Sequence, residues 1–216
     1  MAKDSWDNHY KNKYSVLSYP DENLVRMLKK YIIGKESTEI DNLKVIDLGC
    51  GSGRHIKMLY DTGLKYVTGL DYSMNGLEIC KDLYSSFLVQ AENEFLPFKD
   101  KSFDIAISWG SLHYSNKKSL KKQLSEIYRI LNKKSCFLGT LRSERDTYLK
   151  KGKDMGNNTW VTDISDLKNS IVSFYSEYEL KTALSIFDKF EYGIMERSII
   201  GDLNKIISHW FFRAFK

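Results

Sequence analysis

Asp47, Gly49, Gly51 and Gly53 fall at alternate positions of KVIDLGCGSGRHIKML, residues 44 to 59, and Asp71 follows at the end of the next apolar run. An apolar strand that delivers a carboxylate into a glycine turn, with a helix behind it, brings backbone N–H groups and open space to the carboxyl edge of a sheet, where α/β folds hold ligands. Glycine turns with positive φ and presents no Cβ to a closely approaching ligand. Two common uses of such a turn fail on the residues themselves. A phosphate-binding loop needs Gly-Lys-Ser/Thr at the helix start, and here Arg54 and His55 follow Gly53. A dinucleotide site written from Gly49 and Gly51 needs a small residue at position 54, where Arg54 would crowd the pyrophosphate-facing helix. What remains is D-x-G-x-G-x-G answered by Asp71 one strand later.

The surrounding pattern supplies the elements that position these residues. Strand-like and helix-like segments alternate with short connections, which favours a parallel sheet covered on both faces. A first helix is expected from Asp21, after Pro20, with Leu24, Val25, Leu28 and Ile32 on one face. Strands are expected at 44–48, 65–70, 87–90, 103–109 and 136–141; FDIAISW, the fourth, is almost continuously apolar and reads as a buried central strand. Helices are expected at 53–61, closed by Gly63, from Ser73 as N-cap through Leu77 and Cys80, and at 119–131 with Leu120, Leu124, Ile127 and Leu131 at helical spacing. Residues 142–170 lose the rhythm and read as a long polar loop, of a kind that is usually functional. Ser176 with Glu179 forms a capping box that starts a helix through Leu180, Ala183 and Phe187. KFEYGIMER and SHWFFRAFK are rich in β-formers and are expected to pair as an antiparallel hairpin, with GDLNKII as a helical turn between them.

At 216 residues the chain suits one domain with its own core. Hydrophobic residues at 42% and charged residues at 28% exclude a disordered chain. The start, MAKDSWDNHYKNKY, carries no apolar leader, its first few residues read as a free tail, and no stretch approaches the roughly 18 apolar residues of a spanning helix, so a cytoplasmic location is expected. Cys50, Cys80 and Cys136 are odd in number and lack CxxC spacing, which argues against a disulfide framework and a zinc site; no metal is expected. The net charge of +5 is spread through lysine pairs with acidic residues interleaved, a pattern of solvated faces that also leaves room for an anionic substrate.

DLGCGSG together with VTGLDYS resembles motif I and the following acidic residue of class I S-adenosylmethionine-dependent methyltransferases, of the small bacterial, type 11-like kind. LPFKDKSFDIAISWGSLHY and LSEIYRILNKKSCFLGT resemble that family's approach to its fourth strand and its following helix and fifth strand, so the likeness runs in order from about 44 to 141. It implies a Rossmann-like α/β fold with a seven-stranded, mostly parallel sheet and an antiparallel last strand. It also implies S-adenosylmethionine as cofactor. Under that resemblance Asp71 accepts from both ribose hydroxyls, and Gly49, Cys50, Gly51 and Gly53 let the methionine and ribose portions lie against the backbone. Asp47 fixes the loop or the ligand's ammonium group, Tyr72 and Met74 flank the adenine, and the backbone of Ser108 reaches the ammonium. Many relatives carry an aspartate before alanine to hold the adenine amino group; here Gln90-Ala91-Glu92 stands in its place, with Gln90 or Glu92 as the substitute.

The family's chemistry needs a nucleophile aligned with the cofactor's C–S bond, with water excluded. His113, just past the fourth strand, is the candidate base, with ordering of a loop as its other reading. Trp6, His9, Tyr10, Tyr14 and Tyr19 make an aromatic N-terminal arm suited to closing the site, with Trp6 and Tyr10 toward the acceptor and Tyr14 toward the cofactor. Trp109, Arg142 and Arg145 are expected on the acceptor side, the arginines suiting a phosphate or carboxylate unless they pair with Glu144 and Asp146. DNA is disfavoured, because Ser108-Trp109-Gly110-Ser111 replaces the Asn/Asp-Pro-Pro-aromatic motif and neither Pro20 nor Pro97 precedes a cysteine. The organisation expected is one domain: an arm at 1–20, a cofactor-binding core at 44–141, an acceptor-side loop at 142–170 and a C-terminal helix and hairpin at 171–216. Transfer to a small anionic, phosphorylated or nucleotide-linked acceptor, such as a precursor of a surface polysaccharide, is the expected function. The alternatives are methylation of RNA or protein, and a cofactor-binding subunit without catalysis.

Overall fold

The computed structural model describes residues 2–12, 16–83 and 87–216. Its main sheet has seven strands in the order β3-β2-β1-β4-β5-β10-β9, with β1 at Lys44–Leu48, β2 at Tyr66–Asp71, β3 at Phe87–Gln90, β4 at Phe103–Ser108, β5 at Leu131–Arg142, β9 at Lys189–Ile199 and β10 at Asp202–Phe215. The first five are parallel; β10 runs antiparallel to both β5 and β9. The seven strands, mostly parallel with the last one antiparallel, have the arrangement that the resemblance implied.

Period-two alternation fills both faces of the sheet. Val45, Ile105, Ile107 and Leu138 turn toward the buried sides of α2 (Glu22–Ile32), α4 (Arg54–Asp61) and α5 (Met74–Leu83). Ile46, Ala106, Phe137 and Phe212 turn the other way, onto α6 (Lys117–Ile130) and α7 (Glu177–Leu184). Leu24, Leu28 and Ile32 put the buried stripe of α2 at the expected spacing, and Asp21 caps it by accepting from the Asn23 N–H at 2.9 Å. Cys50, Cys80 and Cys136 are free and buried. No described helix is long and apolar enough to cross a membrane.

Four expectations need correction. The residues read as a free tail form α1, Ala2–Lys11. Its Trp6 and Tyr10 line the site, so core periodicity does not reveal it. The supposed loop at 142–170 contains β6 (Gly152–Asp154) and β7 (Thr159–Thr162), which pair antiparallel with each other and with β8 (Ile171–Ser173) in a separate small sheet. These strands are three and four residues long, and β6 is exposed throughout, so no alternation marks them. GDLNKII belongs to β10 rather than to a helical turn, because pairing with β9 continues past a bulge between Asp202 and Ile206. Finally, β5 starts at Leu131, directly after α6, and takes over the end expected for the helix.

The capping box of α7 is present as read. The Ser176 hydroxyl accepts from the Glu179 N–H at 3.2 Å and the Glu179 carboxylate accepts from the Ser176 N–H at 2.9 Å. Lys117 on α6 pairs with the same carboxylate and so ties the two helices together. Ser176→Ala is therefore expected to lower unfolding free energy by about 1 kcal/mol in urea titrations, with an unchanged midpoint counting against a contribution from the box.

Candidate functional site

The glycine turn is tied to the neighbouring strand by three hydrogen bonds, and a fourth fixes the same Asp71 carboxylate to the start of α5. The N–H groups of Gly49 and Cys50 donate to the Leu70 carbonyl at 2.7 and 3.0 Å. The Gly51 N–H donates to one Asp71 carboxylate oxygen at 2.9 Å and the Ser73 N–H to the other at 2.8 Å. Gly49 and Gly51 have φ of 78° and 51°. A Cβ at Gly49 would stand 2.4 Å from Cβ of Ser111, and one at Gly51 would stand 2.1 Å from the Tyr10 hydroxyl, so each glycine is needed for both backbone and space. Burial lifts the Asp71 carboxyl to about 6 despite the backbone N–H groups that favour its charge.

Two lobes open at this turn. A lobe of about 300 Å³ is bordered by Asp71, Tyr72, Ala91, Glu92, Asn93 and Gln123. The second, of about 360 Å³, is bordered by Cys50, Arg54, Trp109, His113, Arg142 and His209. Trp6, Tyr10, Gly49, Gly110 and Tyr114 border both. Helix α1 thus forms the shared wall, its Trp6 ring 4.7 Å from that of Tyr114. The helix is held on one side by Asp7, which accepts from the Ser73 hydroxyl at 2.6 Å, and on the other by Ser5, which donates to the Lys168 carbonyl at 2.8 Å.

Buried polar atoms without hydrogen-bond partners concentrate here. Asn93 Oδ1 and Gln123 Oε1 belong to the first lobe; His55 Nε2, both His113 ring nitrogens and Arg142 Nε belong to the second. Because buried polar groups are normally satisfied, such a concentration marks a place built for a polar ligand. Burial, with Arg142 and His209 nearby, drives His113 well below the ordinary histidine range, and only the Thr140 backbone pulls the other way. His209 is pushed down to about 2 by burial, Arg142 and Arg197, so both rings are neutral. Asp47, 1% exposed, has no hydrogen bond to either oxygen; its nearest charged-type neighbour is His55 Nδ1 at 3.8 Å, and burial lifts it to about 7 against the pull of Arg54.

The expected site residues divide by position. Gly49, Cys50, Asp71, Tyr72, Ala91 and Glu92 border the lobes on the cofactor side of the expectation, and Trp6, Tyr10, Trp109, His113 and Arg142 border the acceptor side. Gly51 lies beneath Tyr10 and Gly53 caps α4. Asp47 lies behind the turn, off both lobes. Met74 is 44% exposed and also off both, as is Gln90, whose amide donates to the Tyr72 carbonyl at 3.0 Å. Ser108 is fully buried, with its hydroxyl on the Leu48 carbonyl at 3.3 Å. Tyr14 lies outside the described residues. Neither arginine is the free cation expected: Arg142 pairs with fully buried Asp146, and Arg145, 61% exposed, pairs with Glu196 at 2.9 Å and borders neither lobe. Asp146 is held in turn by the N–H groups of Leu149 and Ser208 at 3.1 and 3.0 Å, which makes that pair a structural one.

Sequence reasoning used Arg54 and His55 only to exclude other loop types and did not single out His209. Yet all four histidines of the chain, His9, His55, His113 and His209, border the second lobe. Their number is visible in the sequence; their convergence from α1, α4, the end of β4 and β10 is not. Among the described residues no cluster of histidine, cysteine and carboxylate side chains has a geometry that would hold a metal.

Residues 46–138 match the family described as a methyltransferase domain. An uncharacterized protein of Methanocaldococcus jannaschii is 38% identical over 147 residues, 68% of this chain and 50% of that protein. A ubiquinone/menaquinone biosynthesis C-methyltransferase of Wigglesworthia glossinidia brevipalpis is 32% identical over 118 residues, 49% of this chain and 45% of that protein. The chain thus spans about half the length of these curated relatives. The crystal structure of a SAM-dependent methyltransferase from Methanosarcina mazei matches with a TM-score of 0.66 at 19% identity, over 81% of this chain and 93% of that one. The matched segment is thus similar to a methyltransferase domain, and the seven-stranded topology is the fold of class I methyltransferases.

A carboxyl raised from 3.8 to about 7 binds its proton more tightly folded than unfolded, so its contribution to stability falls as pH rises through that interval. Asp47→Asn removes this cost, which has an upper bound of about 4 kcal/mol from the linkage relation. The variant without ligand is expected to unfold at higher urea than the parent at pH 8, with the margin shrinking toward pH 4; a margin independent of pH would exclude an ionised Asp47 as its source.

Proposed function

We propose that this chain transfers a methyl group from S-adenosylmethionine to a small-molecule acceptor. The observation that carries the reading is the concentration of unpaired buried polar atoms on two adjoining lobes at a glycine turn within a methyltransferase domain. Asp71 fits the sugar of the cofactor, since its carboxylate borders the first lobe and has capacity beyond the two N–H groups it already accepts. Tyr72, Ala91 and Glu92 would flank the base, with the orphan amides of Asn93 and Gln123 as further polar contacts. The glycine turn gives the methionine portion room against the backbone. When bound, the cofactor supplies an electrophilic methyl on its sulfonium.

The protein's own part is to align, enclose and exclude water. Trp6, Tyr10 and Tyr114 stand where the lobes meet, and α1 closes that junction. Aromatic faces there would attract a sulfonium by about 0.5 to 2 kcal/mol each. His113, held neutral by burial, would accept a hydrogen bond from the acceptor and orient its nucleophilic atom. A histidine so far below its ordinary range is a weak base, so positioning is its larger role. The enclosure supports a small acceptor over a macromolecular one. Arg54, the cation of the second lobe with no carboxylate at contact distance, supports an anionic, phosphorylated or nucleotide-linked acceptor, of which a surface-polysaccharide precursor is one kind. In this reading residues 1–216 work as a single domain, with 44–141 holding the cofactor and the arm and 142–170 closing the acceptor side.

The first test is transfer of labelled methyl from S-adenosylmethionine into an extract divided into small-molecule, RNA and protein pools. Label is expected in the small-molecule pool; label in RNA or protein overturns the acceptor assignment. Asp71→Ala is expected to weaken cofactor binding by about two orders of magnitude, the scale of two charge-assisted hydrogen bonds. His113→Ala is expected to lower kcat by about 10- to 100-fold with cofactor Kd changed less than about threefold. Since His113 is already neutral, the parent's kcat is expected to show no ionisation near pH 6.5; such a limb, lost in His113→Ala, would reassign it as a titrating base.

A further inference from the structure

Arg54 differs from Arg142, the other arginine bordering the second lobe, in having no answering carboxylate at contact distance. It opens α4 and is half-buried, with no hydrogen bond or ion pair among the described residues; Asp47 and Asp21 act on it only through longer-range attraction. Beside it, His55 is 3% exposed and borders the same lobe with its Nε2 unpaired. Ser52, 7% exposed, borders the lobe from the turn just before them. These groups share one end of the cavity with the N-terminus of an eight-residue helix, whose first N–H groups have no intrahelical acceptor.

We propose that this end of the second lobe is an anion site, in which Arg54 binds a carboxylate or phosphate group and His55 Nε2 and the Ser52 hydroxyl complete its hydrogen bonding. The inference rests on the methyl-transfer reading for the ligands that carry the anion, either the amino-acid end of the cofactor or an acidic group of the acceptor. A guanidinium suits either, because its planar fork matches two oxygens at once. The site also moves the acidic specificity of the lobe away from Arg142 and Arg145, whose charges Asp146 and Glu196 already answer. Asp47, behind the turn, is a positioning residue: it lies 3.8 Å from His55 and attracts Arg54 without reaching the cavity itself.

Calorimetric titration of the full chain separates the sources. The probes are S-adenosylhomocysteine, 5′-methylthioadenosine, which lacks the amino-acid end, and inorganic phosphate added to the S-adenosylhomocysteine complex. If the cofactor's carboxylate occupies the site, Arg54→Gln weakens S-adenosylhomocysteine at least tenfold, leaves methylthioadenosine unchanged, and Arg54→Lys restores part of the loss. If the acceptor's anion occupies it, both nucleosides bind Arg54→Gln as they bind the parent, while phosphate binding to the complex falls at least tenfold. Unchanged binding of all three probes in Arg54→Gln, with a circular dichroism melt matching the parent, overturns the proposal. Failure of both nucleosides to bind the parent would count against the methyl-transfer reading instead. Phosphate titrated into the free protein would then decide the anion site alone, through its loss or persistence in Arg54→Gln.

Discussion

The carboxylate of Asp71 joins two strand ends that would otherwise be independent. It sits at the end of β2 and accepts from Gly51 in the turn after β1 and from Ser73 at the start of α5. With the Leu70 carbonyl taking two more N–H groups from the same turn, β1 and β2 present one continuous rim. Each part of the site is measured from that rim. Tyr10 reaches down to Gly51, Ser111 closes on Gly49, and α4 leaves from Gly53. The burial that makes these bonds strong also lifts the carboxyl toward neutrality, so the same group that organises the rim is held there at some electrostatic cost.

How much of this was legible depended on whether a residue's partner was local or distant. Strands 44–48 and 87–90, the Asp21 cap and the Ser176–Glu179 box depend on near neighbours in sequence, and they lie where the pattern put them. The glycines and Asp71 were readable because a turn with positive φ leaves a composition mark. Helix α1 was not, because Trp6 and Tyr10 line a cavity, Trp6 packing against the small cluster around Leu149 and Phe174, and leave no continuous apolar stripe. Of the two acidic partners that the sequence offered to Arg142 and Arg145, Asp146 took Arg142. Glu144 and Asp146 were both near in sequence, yet Arg145 found Glu196 on β9, a partner that only the final hairpin brings alongside. His209 reaches the lobe from β10 through pairing with β5 at Arg142, a register that no local pattern encodes.

The second lobe shows what such a site costs its fold. Neutral histidines, an unanswered arginine and orphan nitrogens are all less stable buried dry than solvated. The fold offsets this with ordinary material nearby. Arg142 is neutralised by Asp146, Asp146 is saturated by backbone N–H groups, and Trp210 donates its indole N–H to the Tyr175 carbonyl at 2.8 Å. Asp146 and the Trp210 indole, beyond the lobes, are thus satisfied, while six unpaired buried polar atoms on residues bordering the lobes are left for a ligand.

Helix α1 is the first element of the chain, but its docking partners come much later. Ser5 bonds to Lys168 and Ser170, 163 and 165 residues further on. During vectorial synthesis the rim between β1 and β2 emerges complete while the far dock of α1 does not yet exist. Contacts of such sequence separation form late, since their loop-closure entropy is met only after the intervening chain has ordered. The growing chain therefore passes through a stage in which the rim has formed and α1 can reach only its near dock at Ser73, before Lys168 and Ser170 supply the far one.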